Sequence, residues 1–322
     1  GSLAYIDEAG SLKNGPQSAG AFPGPVCYGN GNKTPTNTDA NFILGRLGSR
    51  LAGGEIKLED EMSKKFIIET IAEPLNFTLE KAAEAIISVA NSNMSNAVRL
   101  LSISRGYDPR DFALVAFGGA GALHGAEIAK ELSIPVVIVP VNPGITSALG
   151  CLLVDIQHDF SDSFMTPLEK TNIEDLENSF QKLEKKAFSR LVEEGVNTSD
   201  IVIERFAEMM YQGQWRSLII KVPSKIEDIE VFSERFHDEH FREYNFKRVE
   251  TPVSLFRIAL KATGFVPKAE FKEYNVKEYD AHSDEKRQIW HNNKSFEADI
   301  YQREHLNSGA KIVGPAIVEQ LD

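Results

Sequence analysis

The segment best suited to bind a ligand is a run of small residues, Gly118-Gly119-Ala120-Gly121, between an apolar stretch and a helical pattern. A glycine turn between a strand and a helix places backbone N–H groups at the helix N-terminus, where an anion or a nucleotide can approach. Both standard phosphate-binding signatures are absent, because no Gly-Lys-Ser/Thr follows and the glycines do not fit the spacing G-x-G-x-x-G. The alternative is a tight βα turn that requires small residues, and the residues alone leave both interpretations open.

Histidines supply further candidate side chains. His124 lies one turn into the helix that follows the glycines, on the side expected to face them. A single histidine in such a position is more often a packing or capping residue than a ligand contact. His237 and His240 share one face of a later predicted helix and could form a metal pair, but no third ligand is identifiable. We therefore expect a solvated helix face at these two histidines.

The opening of the chain carries acidic and thiol groups among turn-forming residues. Asp7, Asp39 and Asp60 lie in or beside segments rich in glycine and proline, where aspartates usually serve turns and helix caps. Cys27 follows Pro25 in such a segment, and without a recognisable base partner a nucleophilic thiol is the less common alternative. The density of glycine and proline in the first fifty residues predicts long surface loops.

Regular elements frame the glycine turn. Apolar residues recur every three or four positions over 79–101, which predicts a helix with Thr78 as its N-cap. The run 112–117 predicts a buried strand, 123–132 a helix and 136–141 a second strand. A right-handed crossover makes two such strands parallel, and their continuous apolar character predicts a sheet that is covered on both faces.

Composition limits the class of protein. The chain has 322 residues, 47 acidic against 35 basic, and a formal net charge of −12. The acidic excess argues against nucleic-acid binding, which needs a basic face. The most apolar stretch, 134–141, falls far short of the roughly 20 residues that span a bilayer. Two cysteines cannot form a disulfide framework, so we expect a cytoplasmic protein.

The length predicts two domains. A shift to polar and charged residues around 159–167 predicts the boundary between them. Beyond the boundary, helical and strand patterns alternate, at 173–191, 201–206, 218–222, 226–244 and 253–264. This order predicts an α+β domain with antiparallel strands.

Several short runs of the sequence occur in one known family in the same order. They include Pro23-Gly24-Pro25-Val26-Cys27-Tyr28-Gly29, Thr38-Asp39-Ala40-Asn41, Leu44-Gly45-Arg46-Leu47, Arg105-Gly106-Tyr107-Asp108-Pro109-Arg110-Asp111-Phe112, Ala116-Phe117-Gly118-Gly119-Ala120-Gly121-Ala122-Leu123-His124, Pro143-Gly144-Ile145-Thr146-Ser147-Ala148-Leu149-Gly150, Tyr211-Gln212-Gly213-Gln214 and Gly314-Pro315-Ala316-Ile317-Val318-Glu319-Gln320. Over nearly its whole length the sequence thereby resembles the hydantoinase A/5-oxoprolinase family, which includes N-methylhydantoinase A. Ala122 departs from the pattern, since relatives usually carry proline there.

The resemblance implies a fold. Members of the family are ATP-dependent enzymes of the actin/sugar-kinase type, an α/β fold of two lobes. Residues 1–160 would complete the second lobe of this actin-like ATPase fold, and residues 165–322 would form a smaller, family-specific α+β domain that is truncated at its end. The family's two Asp-x-Gly-Gly-Thr elements, which hold the phosphates, are absent from the sequence. We therefore expect the C-terminal half of a larger enzyme, inactive on its own.

The resemblance also implies site residues. The adenosine of ATP would contact the glycine turn and the start of its helix, at Gly118, Gly119, Ala120, Gly121 and His124. Asp39 and Asn41 belong to the family's Thr-Asp-Ala-Asn run and would lie near the substrate cleft. Mg²⁺ would accompany ATP in the intact enzyme. No metal-ligand set and no general base are identifiable in the sequence itself.

For activity, the resemblance implies hydrolysis of a cyclic amide, such as a hydantoin or 5-oxoproline, after activation by phosphorylation. A subunit of an ATP-dependent ketone carboxylase, for acetone or acetophenone, is the first alternative. A non-catalytic assembly module is the second. The expected partners are the small cyclic amide, a second B-type subunit or fused domain, and further copies of the chain, with neither nucleic acid nor membrane among them.

Overall fold

The computed structural model of the protein describes residues 1–271 and 275–320. By packing, the chain divides into two compact units. The first unit combines Gly1–Leu149 with Phe271–Asp322, and the second is the continuous segment Gly150–Glu270. The second unit is therefore inserted, in sequence, into the first.

The predicted domain ranges, 1–160 and 165–322, divide the chain differently from these units. The segment 159–167, which carries the predicted boundary, lies within a long strand of the second unit. The described residues 275–320 pack with the first unit. Residues 272–274 and 321–322, which the second predicted range includes, lie outside the described residues.

The described chain contains both strands and helices. The strands are β1 (Ser2–Ile6), β2 (Leu12–Ser18), β3 (Arg50–Leu51), β4 (Ile56–Lys57), β5 (Ala113–Val115), β6 (Val136–Ile138), β7 (Ile156–Pro167), β8 (Ile201–Tyr211), β9 (Leu218–Val222), β10 (Val253–Gly264), β11 (Tyr279–Asp280), β12 (Glu285–His291), β13 (Lys294–Gln302), β14 (Ala310–Lys311) and β15 (Ala316–Glu319). The α-helices are α1 (Asn37–Ile43), α2 (Asp60–Ile67), α3 (Glu73–Leu75), α4 (Leu79–Ser102), α5 (Gly121–Leu132), α6 (Thr146–Leu153), α7 (Ile173–Glu193) and α8 (Ile229–Tyr244). Strands β7 to β10 and helices α7 and α8 lie in the second unit.

The first fifty residues are more ordered than their glycine and proline content predicts. β1 and β2 form an antiparallel hairpin, and α1 follows with Thr36 as its N-cap. Cys27, Thr36 and Asp39 are fully buried, so the prediction of long surface loops is wrong for this segment. The physical reason is that the Asp39 carboxylate collects backbone N–H groups of the loop before it, which composition does not reveal.

α4 confirms the helix predicted from apolar periodicity. The hydroxyl of Thr78 accepts a hydrogen bond from the N–H of Lys81 at 3.3 Å, as an N-cap does. The apolar face of α4 packs into a core cluster of the first unit, which includes Leu44, Ile67, Ile71, Ala82, Ala83, Ile86 and Ile87. Within residues 1–271 and 275–320, no helix is both long enough and apolar enough to cross a membrane.

β5 and β6 are parallel, as the predicted βαβ arrangement requires, with α5 between them in sequence. α5 packs closely on one face of this pair, where a Cβ at Gly125 would lie 2.9 Å from the Cβ of Ala116. The other face carries apolar side chains that are 47–49 % exposed, namely Val115, Phe117, Val136 and Ile138. The prediction of a sheet covered on both faces is therefore wrong for the part of the chain that the structure describes.

The C-terminal strands of the first unit return to its N-terminal segment. β12, β13 and β15 form a three-stranded sheet, antiparallel between β12 and β13 and parallel between β13 and β15. The N–H of Trp290 donates to the carbonyl of Leu44 at 2.9 Å. Gly45 has a φ of +72°, and a Cβ there would lie 2.2 Å from the carbonyl oxygen of Gln288. Only glycine fits both demands.

The second unit is a sheet with helices packed on it. Its strands follow the order β7-β10-β8-β9, and every pairing is antiparallel, which confirms the predicted α+β character. Apolar side chains of α7 and α8 meet the sheet in one core cluster, which includes Leu176, Phe180, Met209, Tyr211, Phe232, Phe236, Leu255 and Ile258.

A buried ion cluster connects β8 to α7. Arg205 is 5 % exposed, and its Nε lies 2.6 Å from the carboxylate of Glu184 and its Nη1 2.9 Å from that of Glu177. The guanidinium lies over the ring of Phe180, 4.8 Å from its centroid. Glu177 also accepts a hydrogen bond from the N–H of Ile226 at 2.6 Å. One arginine therefore ties a strand, a helix and the segment before α8 together.

Candidate functional site

The predicted glycine turn joins β5 to α5 and is open on its outer side. Gly118 has a φ of +88°, and its N–H donates to the carbonyl of Pro143 at 2.7 Å. A Cβ built at Gly118 or Gly119 would meet no atom within 4 Å. Gly119 and Ala120 are exposed. The turn therefore leaves room for a ligand directly against its backbone.

The start of α5 supplies hydrogen-bond donors beside the turn. Its N-cap residue is Ala120, whose side chain cannot cap, and the first turn of the helix carries no acidic residue. The first N–H groups of a helix have no partner within the helix and are satisfied by a cap, by water or by a ligand. Together with the helix dipole, they favour a polar or anionic ligand group at the open turn.

His124 is buried one turn into α5 and is hydrogen bonded to α4. Its Nδ1 lies 2.7 Å from Oδ1 of Asn91. The Nδ2 of Asn91 donates in turn to the carboxylate of Glu127. Burial lowers the pKa of His124, with Glu127 opposing the shift and Arg46 adding to it. The ring is therefore neutral near pH 7.

Glu127 is shared by several polar groups of the first unit. Its Oε1 lies 2.9 Å from Nη2 of Arg46 and 3.5 Å from Nδ1 of His291. Nη2 of Arg46 and Nδ1 of His291 are 3.5 Å apart. Polar contacts thus run from the helix after the glycine turn to α4, to the segment after α1 and to the end of β12.

Sequence reasoning missed these partners of His124. Asn91 gave one usable signal, because it places an amide on the buried face of α4, between Ile87 and Ser95. A buried amide needs a polar partner from another element. Glu127 and Arg46 gave no comparable signal, since charged residues on helices and loops are usually solvated.

Asp39 organises the loop that precedes α1. Its carboxylate accepts hydrogen bonds from the N–H groups of Val26 at 3.1 Å, Cys27 at 2.7 Å and Thr36 at 2.8 Å. The hydroxyls of Thr36 and Ser63 donate to it at 2.8 Å and 2.7 Å. Both oxygens are therefore occupied by donors of the chain itself, and Asp39 supports the loop from within.

Asn41 and Cys27 are buried in the same unit as Asp39. Asn41 is 2 % exposed, and its Oδ1 has no hydrogen-bond partner among the described residues. Desolvation by burial, with the charge of Asp39 adding to it, raises the pKa of the Cys27 thiol. A protonated thiol is a poor nucleophile, which supports the packing interpretation of Cys27.

His237 and His240 are buried, so the prediction of a solvated helix face is wrong. The hydroxyl of Tyr211 lies 2.7 Å from Nδ1 of His237. Nδ1 of His240 donates to the carbonyl of Phe246 at 2.8 Å, and Nε2 of Gln214 lies 3.2 Å from its Nε2. Both rings can be buried because each has a polar partner from outside its own helical turn: the hydroxyl of Tyr211 for His237, and the Phe246 carbonyl and the Gln214 amide for His240. In the described ranges no three His, Cys, Asp or Glu side chains are grouped as metal ligands.

Burial lowers the pKa of His237 below its ordinary value of 6.5, with a further lowering by Lys247 and His240 and opposition from Asp238 and Glu234. Between the lowered pKa and about 6.5 the unfolded chain binds more protons than the folded unit. The free energy of unfolding of the second unit therefore falls as the pH drops through this interval.

We expect the thermal midpoint of the second unit to decrease when the pH is lowered from about 7 to about 5. His237→Asn keeps an acceptor for the Tyr211 hydroxyl without a titrating ring, so it should flatten this dependence. Hydrogen exchange in peptides of α8, measured against pH, tests the prediction. An unchanged pH dependence in the variant would assign the effect to other groups.

The fold and the site define a class of chain: an α/β unit with an open glycine turn before an uncapped helix, combined with an antiparallel α+β unit. The chain belongs to the hydantoinase/oxoprolinase family. The model of that family, hydantoinase/oxoprolinase, matches residues 1–160, and the model of the hydantoinase/oxoprolinase C-terminal domain matches residues 166–321. The resemblance drawn from the sequence motifs is thereby confirmed.

Individual relatives agree with the family assignment. An uncharacterized protein of Methanocaldococcus jannaschii is 39 % identical over 326 residues, which cover 100 % of this chain and 46 % of the relative. Caprolactamase subunit alpha from Pseudomonas jessenii is 32 % identical over 345 residues, covering 99 % of this chain and 48 % of the relative. The chain thus spans about half the length of these relatives.

Two solved structures share the fold over the whole chain. Nucleotide-free acetone carboxylase, studied for ATP-dependent acetone carboxylation, has a TM-score of 0.86 at 25 % identity and covers 100 % of this chain and 48 % of its own. The ATP-dependent caprolactamase from Pseudomonas jessenii has a TM-score of 0.74 at 32 % identity with the same coverage, 100 % and 48 %. The chain therefore has the mixed α/β architecture of these ATP-dependent enzymes.

Proposed function

We propose that this chain contributes the adenosine-binding part of an ATP-dependent enzyme that opens a cyclic amide. In this proposal the first unit belongs to one lobe of an actin-like ATPase fold. The observation that carries the proposal is the open glycine turn at the uncapped start of α5. Support comes from the caprolactamase, which is described as ATP-dependent and whose name denotes a cyclic amide substrate.

The proposed adenosine contacts are the residues of the turn and of the first helical turn, Gly118, Gly119, Ala120, Gly121 and His124. Glycines without side chains allow the nucleoside to approach backbone N–H groups. A net charge of −12 offers no general attraction to a triphosphate. We assign no residue of this chain to Mg²⁺, which would arrive bound to the phosphates, because no three-ligand group occurs among the described side chains.

The proposed reaction activates the amide by phosphorylation. The γ-phosphoryl group leaves ADP and forms a bond to the amide oxygen, which makes the amide carbon electrophilic. Water adds to that carbon and the ring C–N bond breaks, which leaves an acyl phosphate. A second water then releases phosphate and the open amino acid. This chain's contribution is to position the nucleotide, since phosphoryl transfer depends mainly on positioning and charge neutralisation.

The substrate cleft is proposed to involve the loop that Asp39 supports. Asp39 itself is enclosed, so its contribution would be to fix the loop, and Asn41 lies buried beside it in sequence. The proposed partner is a second subunit, because the caprolactamase relative is named subunit alpha. Association of several copies and a cytoplasmic location complete the proposal.

Carboxylation of a ketone is the alternative reaction, and the similarity to acetone carboxylase favours it. Assays should compare caprolactam, hydantoin and 5-oxoproline with acetone plus bicarbonate, on the protein as its gene encodes it together with any copurifying subunit. Ring opening predicts substrate-dependent phosphate release with each active lactam and an amino-acid product by mass spectrometry. Phosphate release only with acetone and bicarbonate would show that the reaction is carboxylation and not ring opening. No ATP turnover with any substrate would favour an assembly module.

Gly119→Val tests the position of the nucleotide. Gly119 lacks a positive φ, and a Cβ there meets no atom within 4 Å, so the fold should accept the side chain. The new methyl groups would instead occupy the space proposed for adenosine. We expect the KM or Kd for ATP to rise at least about tenfold with an unchanged thermal midpoint. Ala126→Val, which adds the same bulk on the exposed face of α5, should leave ATP affinity unchanged. Equal ATP affinity in Gly119→Val and in the parent would contradict the proposal that adenosine binds at the turn.

A further inference from the structure

The hydrogen bonds around Asn91 fix the orientation of its side-chain amide. An ionised carboxylate only accepts hydrogen bonds, so the group of Asn91 that contacts Glu127 must be the NH₂. Glu127 is held in place by the guanidinium of Arg46, whose Nη2 lies 2.9 Å from Oε1 of Glu127. The oxygen of the Asn91 amide therefore faces His124, at 2.7 Å from Nδ1.

An amide oxygen opposite Nδ1 fixes the tautomer of the His124 ring. Because the oxygen can only accept, Nδ1 must carry the hydrogen. In the neutral ring, Nε2 then carries a lone pair and acts as an acceptor. Burial, which disfavours the charged ring, acts in the same direction.

Helix geometry predicts that Nε2, rather than Nδ1, faces the glycine turn. Nδ1 and Nε2 lie on different sides of the imidazole ring, and Nδ1 is engaged by α4. Side chains on a helix lean toward its N-terminus, and His124 is the fourth residue of α5, directly after the turn. We therefore expect the acceptor edge of the ring on the side where the open backbone of Gly118 and Gly119 lies.

We infer that Asn91 is a positioning residue for nucleotide binding: it holds His124 with Nε2 as an acceptor for a hydrogen-bond donor of the adenosine moiety. The donor is a ribose hydroxyl or the 6-amino group of the base. This inference rests on the proposed function, since it takes adenosine to be the ligand at the turn. Glu127 contributes indirectly, because its hydrogen bond with the NH₂ group of Asn91 fixes the orientation of that amide.

The tautomer is measurable without any nucleotide. Long-range ¹H–¹⁵N spectra of the histidine side chains distinguish an Nδ1–H ring from an Nε2–H ring, and His124→Asn identifies the signals of His124 by their loss. We expect the Nδ1–H pattern in the parent. Asn91→Leu removes the acceptor and should shift the ring toward Nε2–H, whereas Asn96→Leu, on the exposed side of α4, should not. An Nε2–H ring in the parent would overturn the inference.

Nucleotide titrations test the acceptor itself. His124→Asn retains a donor for Asn91 at the position of Nδ1 but has no group at Nε2. We expect ATP affinity to fall about five- to tenfold in His124→Asn and in Asn91→Leu, the effect of one hydrogen bond, and no further in the double variant. The inference would be overturned if the two losses of ATP affinity added up in the double variant. It would also be overturned if His124→Asn bound ATP as tightly as the parent does.

Modified nucleotides identify the donor, and they separate this inference from the proposed function. If the parent and the variants bind 2′-deoxy-ATP equally well, the donor is the ribose 2′-hydroxyl. If they bind ITP, which lacks the 6-amino group, equally well, the donor is the base. A parent protein that binds no ATP would overturn the proposed function and, with it, the ligand named here. Normal ATP binding with unaffected Asn91 variants would overturn the inference alone.

Discussion

Asp39→Ala is expected to lower the free energy of unfolding of the first unit by about 3–5 kcal/mol. The substitution leaves three backbone N–H groups and two hydroxyls without their acceptor in a region where Asp39 is 0 % exposed. Each stranded donor carries a desolvation penalty. Asp39→Asn should also destabilise strongly, because its NH₂ group would face one of these donors.

Tryptophan fluorescence can report this change from the first unit alone. The chain has two tryptophans, and Trp215 is 88 % exposed, so Trp215→Phe leaves Trp290 as the single probe. Trp290 packs against the core cluster of the first unit. Urea unfolding of Asp39→Ala in this background gives the loss directly. Asp7→Ala is the matched control, since Asp7 also accepts two backbone N–H groups but in an exposed turn. Equal losses in the two variants would contradict the importance of burial.

Arg205→Ala is expected to lower the free energy of unfolding of the second unit by about 3 kcal/mol. Removal of the guanidinium leaves the carboxylates of Glu177 and Glu184 without their cation and exposes the ring of Phe180 that it covers. The expected loss of stability lies at the lower end of the range for removing one partner of a buried ion pair. The reason is that Glu184 is 31 % exposed and can recover hydration. Arg205→Met keeps the packing of the stem and should lose less than Arg205→Ala.

Hydrogen exchange of the amides of β8 and β10 measures this loss within the second unit. Lys221→Ala is the matched control, because Lys221 forms an exposed ion pair with Glu204 on the same sheet. It should leave exchange unchanged. Combining Arg205→Met with Glu177→Gln and Glu184→Gln removes the stranded charges and should recover part of the stability. Failure of this triple variant to recover any stability would show that packing, not charge, sets the cost.

Elements with strong local signals were predictable from the sequence. The periodicity over 79–101 with Thr78 as cap predicted α4, and the alternation over 253–264 predicted β10. The predictions failed where distant residues decide the environment. Glycine and proline in the first fifty residues suggested loops, yet Asp39 draws that segment into the interior through bonds to residues 12 and 13 positions away.

The candidate site was predictable only in its backbone. The glycine turn followed from residue types, because a strand, small residues and a helix in sequence define a local geometry. The surroundings of His124 did not, since Asn91 lies 33 positions earlier. The prediction for the histidines of α8 failed for the same reason: the polar partner of His237, the Tyr211 hydroxyl, comes from another element 26 positions earlier, and Gln214 contacts His240 from 26 positions earlier as well. Side-chain partners across elements are set by tertiary packing, which local patterns do not encode.

The contacts of Leu44 and Gly45 with Trp290 and Gln288 have a consequence for biosynthesis. A ribosome releases the chain from its N-terminus, so the early segment of the first unit must wait for partners more than two hundred residues later in the sequence. During that interval the whole of the second unit, Gly150–Glu270, emerges and can complete its own sheet. Closing so long a loop is slow, and the apolar side chains of the waiting segment are available to chaperones until it closes. The contacts between the segment after α1 and β12 are therefore expected to form after the second unit has been synthesised.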